Sequence, residues 1–450
     1  MLGCNMGSMF KVTVAGGSYQ EGMTVHMQGV APGLLFTEEE IYRDLLCRKP
    51  GQGELTSPRM EPDIPILYSG FNVADTMEGF HNKGLTNGTP LVILIPNLDR
   101  HFIHIEQYRS TNRTPRPGHA SLCSFQKYGP NDDAIGAGLF SGRYTCTLVA
   151  AGVVAKRILS QLGIQIVGYV REAAGIVAPD VPLDLIQERV AAYKQVRREY
   201  DLVYQAMFGA KRIHGEMRFL EKMQVLSQYD QIMASSTVRE MDVEAIKKER
   251  GIHPILNCPD LEAAQAMYDR IVAIRDEGDS SGGVVEVVAT GCPPGLGEPV
   301  FDKLDGELGR MMSIGGVKAV EIGSGVRCKN MKGSEQNDQM RDAGGGRVKY
   351  LSNQAGGMYG GLASGEPIVA RLAVKPTPTI GKDQQTVDKV TCENTTLSAV
   401  TRRDPTLVAR IWPVAEAHMA ILLLDLFMKH VGYQELCKRL DSTGSGHPVP

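Results

Sequence analysis

Lys375-Pro376-Thr377-Pro378-Thr379 and, downstream of it, Thr401-Arg402-Arg403-Asp404-Pro405 are the stretches on which the reading of this chain turns. The first is a lysine on a loop whose φ angles two prolines hold fixed. The second sets guanidinium groups beside a carboxylate. A guanidinium fork grips an oxyanion at two points and a carboxylate can take a proton, so the pair suits an anionic substrate and proton chemistry. Each stretch alone also has an ordinary reading, as a turn or a surface ion pair. Working outward, the same chain carries Arg116-Pro117-Gly118-His119-Ala120, Gln126-Lys127-Tyr128-Gly129, the run 138–143, Gly295-Leu296-Gly297-Glu298-Pro299-Val300-Phe301-Asp302 and Ser352-Asn353-Gln354-Ala355-Gly356-Gly357.

The whole chain bounds what these motifs can mean. Its 450 residues can bury a large core. A hydrophobic share of 42%, a charged share of 22% and a net charge of −3 describe an ordinary globular protein with no basic field for nucleic acid. Positive charge that matters must therefore gather locally, which suits a small phosphorylated or carboxylated ligand. Nine cysteines stand singly from Cys4 to Cys437 without a CxxC pair, as expected of reduced thiols in the cytoplasm rather than of disulfides or a metal site. The start, Met1-Leu2-Gly3-Cys4, lacks the basic and apolar regions of a leader. The longest apolar run, 419–428, is interrupted by Asp425 and too short to span a bilayer, so no membrane partner is expected.

Strands are expected at 10–14, 283–289, 317–322 and 368–374, where β-branched residues concentrate. Thr37 followed by Glu38, Glu39 and Glu40 has the composition of a helix start. Residues 47–52 read as a breaker-rich loop. Leu148, Ala151, Val154, Ile158 and Leu162 recur at helical spacing, so 147–162 reads as an amphipathic helix. Further helices are expected at 261–275, 303–312 and 414–428. Between 182 and 250 glycine is sparse and apolar residues recur at three and four, which predicts two or three helices with charged outer faces that include Arg197, Arg198, Lys211 and Arg212. Residues 440–450 read as a flexible tail.

In order and spacing the motifs resemble those of the chorismate synthase family, from about residue 10 to 429. The resemblance implies an α+β fold, a single-domain β-α-β sandwich with helices between two antiparallel sheets, here with an enlarged helical insertion at 182–250, assembled as a homotetramer. It also implies a lyase that uses reduced FMN to convert 5-enolpyruvylshikimate 3-phosphate to chorismate, losing phosphate from one carbon and a proton from another. On matching positions, Arg48, Arg116, Arg143, Arg402 and Ser18 would bind substrate. His119 would face the flavin and Asp404 would remove the proton. Ser141, Asn353, Ala355, Lys375, Pro376, Thr377, Pro378 and Thr379 would hold the cofactor. No metal is implied.

This chain departs from the family pattern at the inferred site. The family run Gly-Glu-Ser-His-Gly reads Gly16-Gly17-Ser18-Tyr19-Gln20, so Tyr19 takes the place of the histidine that protonates the leaving phosphate. A phenol, with a reference pKa near 10, is a weaker acid than imidazolium. Glu54 replaces a substrate-contacting arginine and is expected to turn outward or to pair with Lys49 or Arg59. Leu139 and Phe140 replace a flavin-binding Arg and Ser, Ser121 replaces Asp, and Arg403 replaces His. Two alternatives stay open at this point: a relative acting on another cyclic phosphate or carboxylate, and a non-catalytic binding protein. A dinucleotide enzyme is disfavoured, because no GxGxxG follows a strand.

Overall fold

The computed structural model describes residues 3–57, 59–99, 105–106, 109, 112–399 and 403–441. Its frame is a pair of five-stranded antiparallel sheets. In spatial order the first comprises Asn5–Met6, Lys11–Gly16, Gly22–Gln28, Leu91–Pro96 and Ile66–Ser69. The second comprises Ile176–Val177, Gln165–Ala173, Gly283–Thr290, Ile368–Val374 and Val317–Ile322. Met23, Val25 and Met27 on the first, and Ile368, Ala370 and Leu372 on the second, alternate into the core with the two-residue period of a strand.

Helices Glu38–Arg48, Thr145–Gln161 and Val408–Asp441 fill the space between the sheets. Thr37 caps the first, its Oγ1 accepting from Glu40 N–H at 3.1 Å. That helix keeps Cys47 and Arg48 in its last turn, two residues into the loop expected at 47–52, because Pro50 restricts the backbone only from Lys49 onward. Thr145–Gln161 crosses Val408–Asp441 so closely that a Cβ on Gly152 would lie 2.2 Å from the Ala417 Cβ. The glycine sets the spacing of the two helices. Val408–Asp441 starts earlier than expected and carries Pro413 inside it. Its apolar stretch is long enough to cross a membrane, yet 89% of the most apolar window is buried in the protein, which makes it a core helix. Asp425, the charge that interrupts this stretch, accepts from the backbone N–H groups of Ser8, Met9 and Phe10 at 2.7, 2.6 and 2.9 Å and so ties the helix to the first sheet.

The stretch from 182 to 250 folds into helices at Leu183–Glu199, Phe219–Ser227, Tyr229–Ser235 and Val243–Arg250, with shorter turns between, more than the two or three expected. Ile186, Val190, Tyr193 and Val196 bury one face of the first, and Tyr193 meets Trp412 edge-on at 5.9 Å. Lys194 reaches Glu416 at 2.9 Å and Asp44 at 3.5 Å, and Lys156 joins the same two carboxylates. Arg197 corrects an expectation: it is buried rather than solvated, because it lies one turn beyond Tyr193 on the inward face. Leu440 and Asp441, expected in the flexible tail, are instead the last residues of Val408–Asp441, and residues 442–450 lie outside the described residues.

Candidate active site

A cleft of about 690 Å³ opens where the ends of the central helices meet the loops above them. Six arginines and four carboxylates line it, and the excess of guanidiniums defines a site for an anion. Arg48, from the end of its helix, is held in place by Asp63, Thr145 Oγ1 at 2.9 Å and the Gly142 carbonyl at 2.8 Å. Arg143 also pairs with Asp63 and donates from Nε to Asn97 Oδ1 at 2.8 Å. Asp63 is fully buried and adopts φ of 56°, a left-handed conformation unusual for a side chain with a Cβ. One strained carboxylate thus fixes two guanidiniums. Burial pushes the pKa of both arginines down, yet nearby carboxylates oppose this, and an arginine stays charged from so high a starting value.

Arg59 completes this floor. Its guanidinium pairs with Glu61 at 3.3 Å and Asp99 at 3.6 Å, and Nη1 donates to Ser18 Oγ at 3.3 Å. It also lies 5.3 Å from the centre of the Tyr19 ring. Ser141 Oγ donates to Ser18 Oγ at 3.3 Å, so Ser18, Tyr19, Ser141, Arg48, Arg59 and Arg143 converge as one group. The Tyr19 ring lies where a side chain on Gly136 would need to be: a Cβ there would sit 2.3 Å from the ring.

The opposite wall is built by loops. Arg116 turns back through a His119 N–H bond to its carbonyl, and its own N–H donates to Ser121 Oγ at 3.0 Å, so Ser121 keeps a polar hold on this loop. Gly118, with φ of 69°, lets the loop lie on Pro378, and Lys375 Nζ donates to the Gly118 carbonyl. Arg116 reaches Thr379 Oγ1 and His119 Nε2, both at 3.4 Å. Burial, reinforced by the charges of Arg116 and Lys375, lowers the His119 pKa to about 4. Asp404 Oδ1 accepts from Ser57 N–H at 2.7 Å and Arg410 Nη1 at 2.8 Å, while Thr377 Oγ1 donates to the Asp404 carbonyl at 2.8 Å.

A second cavity of about 1260 Å³ adjoins the cleft and shares His119, Arg116, Ser141 and Thr377 with it. Leu139, Phe140, Ile314 and Leu407 give it apolar walls, with Lys318 and Lys375 at its rim. His119 Nδ1 is buried with no hydrogen-bond partner among the described residues. A planar apolar group with hydrogen-bonding edges and an anionic tail fits this setting, as a flavin nucleotide would.

The structure gathers most, but not all, of the residues expected at the site. Pro378 lines the second cavity, while Pro376 packs near Gly282 instead. Asn353 hydrogen-bonds the Pro367 carbonyl and Gly357 N–H, and Ala355 N–H donates to Asp338, so neither lines the cleft within this chain. Arg402 lies outside the described residues. Glu54 turns outward, as one expectation had it, but its partners are Arg275 at 3.3 Å and Tyr268 rather than Lys49 or Arg59. Arg403 also points to that side and donates to the Arg275 carbonyl at 3.0 Å. Arg59 and Arg410 were not foreseen as site residues; their signals were an arginine just beyond the 47–52 loop and another just beyond Asp404.

Comparison with known proteins agrees with this geometry. The chorismate synthase family model matches residues 10–428. The chain is 36% identical to a chorismate synthase of Acetivibrio thermocellus, with 98% of each chain covered, and 38% identical to one of Methanosarcina mazei, covering 95% of this chain and 97% of that one. A crystal structure of chorismate synthase superposes with a TM-score of 0.60 at 25% identity, covering 95% and 94% of the two chains. The α+β fold is that of the solved chorismate synthase, and the relatives make the chain a lyase. The chain belongs to the chorismate synthase family, whose place is the shikimate pathway.

Proposed function

We propose that this cleft binds 5-enolpyruvylshikimate 3-phosphate and eliminates its phosphate, with reduced FMN in the adjoining cavity, to give chorismate. The observation that carries the reading is the pairing of an arginine-lined cleft with a held carboxylate, Asp404, on its opposite wall. Arg48, Arg59 and Arg143 bind the phosphate and carboxylates of the substrate, braced by Asp63 and Glu61. Arg116 serves the same anion from the loop side, and Arg402 is given that role by family resemblance alone. Asp404 takes the proton from the substrate carbon, and Tyr19, whose ring lies 5.3 Å from the Arg59 guanidinium, assists the departing phosphate through its hydroxyl.

His119, Ser141, Lys375, Thr377, Pro378 and Thr379 would hold the flavin, with His119 Nδ1 as the ring's hydrogen-bonding partner and Lys375 opposite its phosphate. The flavin, when bound, supplies electron density to the substrate and recovers it, so the net reaction is redox neutral. His119 meets it as a neutral imidazole at pH 7, given its lowered pKa. Asn353 and Ala355 retain a cofactor role by family resemblance alone, and so do the homotetrameric assembly and a cytoplasmic location. Changing Asp404→Asn removes the base while keeping a similar shape. Phosphate release should fall by about 100-fold or more with flavin binding retained; unchanged release would take Asp404 out of the mechanism.

A further inference from the structure

We infer that Arg410 is a positioning residue for the reaction, clamping one oxygen of Asp404 so that the other is presented to the substrate. This rests on the proposal that Asp404 is the base. Arg410 stands in the first turn of Val408–Asp441, the helix buried between the sheets, whereas Asp404 stands on the loop before it. The helix is a rigid platform and the loop is not.

The geometry is one-sided. Oδ1 of Asp404 accepts both from Arg410 Nη1, at 2.8 Å, and from Ser57 N–H, at 2.7 Å. Arg410 is itself fixed, because its Nε donates to the Arg48 carbonyl at 2.9 Å. One guanidinium therefore ties the carboxylate to the end of the helix that carries Arg48. Two donors on Oδ1 restrict the rotation of the carboxylate, and both residues line the cleft, so Oδ2 is the oxygen these bonds leave for the substrate. A carboxylate free to turn would spend part of its time with neither oxygen aimed at the departing proton, and small misplacements of a reacting group are costly. The charge of Arg410 survives burial: desolvation lowers its pKa, but Asp404 opposes that, and an arginine begins far above neutrality.

The test is steady-state kinetics of Arg410→Gln and Arg410→Lys with substrate carrying deuterium at the carbon that loses its proton, compared with Asp404→Asn. For Arg410→Gln we expect kcat to fall by about 10- to 100-fold with KM changed less than about threefold, and the isotope effect on kcat to rise as proton removal becomes slower. Arg410→Lys, which keeps one charged donor, should recover part of kcat. In the Asp404→Asn background, Arg410→Gln should cost little more, since it would have no carboxylate left to position. A large rise in KM with kcat kept would make Arg410 a substrate ligand and overturn the inference. So would a loss of kcat with an unchanged isotope effect and a lowered melting temperature, which would make the role structural. Full activity of Asp404→Asn would instead sink the assignment of the base itself, a separate failure.

Discussion

Asp63 shows how much of the site depends on residues that never face the substrate. Its buried carboxylate joins Arg48, which also bonds the Thr145 hydroxyl and the Gly142 carbonyl, and Arg143, which also bonds Asn97 and pairs with Glu61. Leaving either guanidinium without that partner would expose an uncompensated buried charge. The histidines define a different property at the same scale. Burial lowers the pKa of His119, His253 and His418 to about 4, with Arg116 and Lys375, Lys247, and Arg310 respectively adding repulsion. In the unfolded chain each titrates near 6.5. As pH falls below that value the unfolded state takes up protons first, so the stability these groups contribute is complete above about 6.5 and is lost as pH falls toward 4. Urea unfolding should show a lower midpoint at pH 5 than at pH 7.5. His418→Met, at a site only 2% exposed, should flatten that dependence, removing on the order of 1 to 3 kcal/mol of the difference. A slope unchanged by the substitution would mean that His418 does not titrate differently on folding.

Among the elements, the crossing of Thr145–Gln161 with Val408–Asp441 controls where Arg143, just before one helix, and Arg410, in the first turn of the other, come to lie. Gly152→Ala should cost about 1 to 3 kcal/mol, because its methyl would meet Ala417 at 2.2 Å and push the helices apart. Gly309→Ala, where an added Cβ meets nothing within 4 Å and φ is −56°, should change stability by less than about 0.5 kcal/mol. Equal thermal shifts for the two would remove the close crossing from the account. Much at this scale was legible in the sequence. Thr37 with its three following glutamates marked a helix start, and β-branched runs marked the strands at 317–322 and 368–374. The start of Val408–Asp441 was not, since Pro413 reads as a boundary but is tolerated within the helix at the loss of a backbone hydrogen bond. Arg197 was misread because its charge outweighed its place on an inward face. We propose that the helices of 182–250 act as a buttress to the core rather than as a lid, on the strength of Lys194 and Tyr193 meeting Glu416 and Trp412.

Over the whole molecule, the site is assembled from segments hundreds of residues apart, and this is where reading the sequence alone runs short. Motifs with rigid backbones, such as Arg116-Pro117-Gly118-His119 and Lys375-Pro376-Thr377-Pro378, announce themselves, since glycine and proline are required by the turns. Arg59 and Arg410 sit in unremarkable surroundings and acquire meaning only when folding brings them to Ser18 and Asp404. Conversely, Asn353 and Ala355 belong to a recognisable motif but bond to Pro367, Gly357 and Asp338. The substitutions at Tyr19, Leu139 and Phe140 likewise make sense together only in three dimensions. The Tyr19 ring lies 5.3 Å from the Arg59 guanidinium, while the other two give apolar walls to the second cavity. The direct measurement is anaerobic incubation of the purified protein with reduced FMN and 5-enolpyruvylshikimate 3-phosphate, following phosphate and chorismate against a control without protein. The account predicts equal amounts of both, formed without net oxidation of the flavin. Intact protein with bound flavin that releases neither product would contradict it.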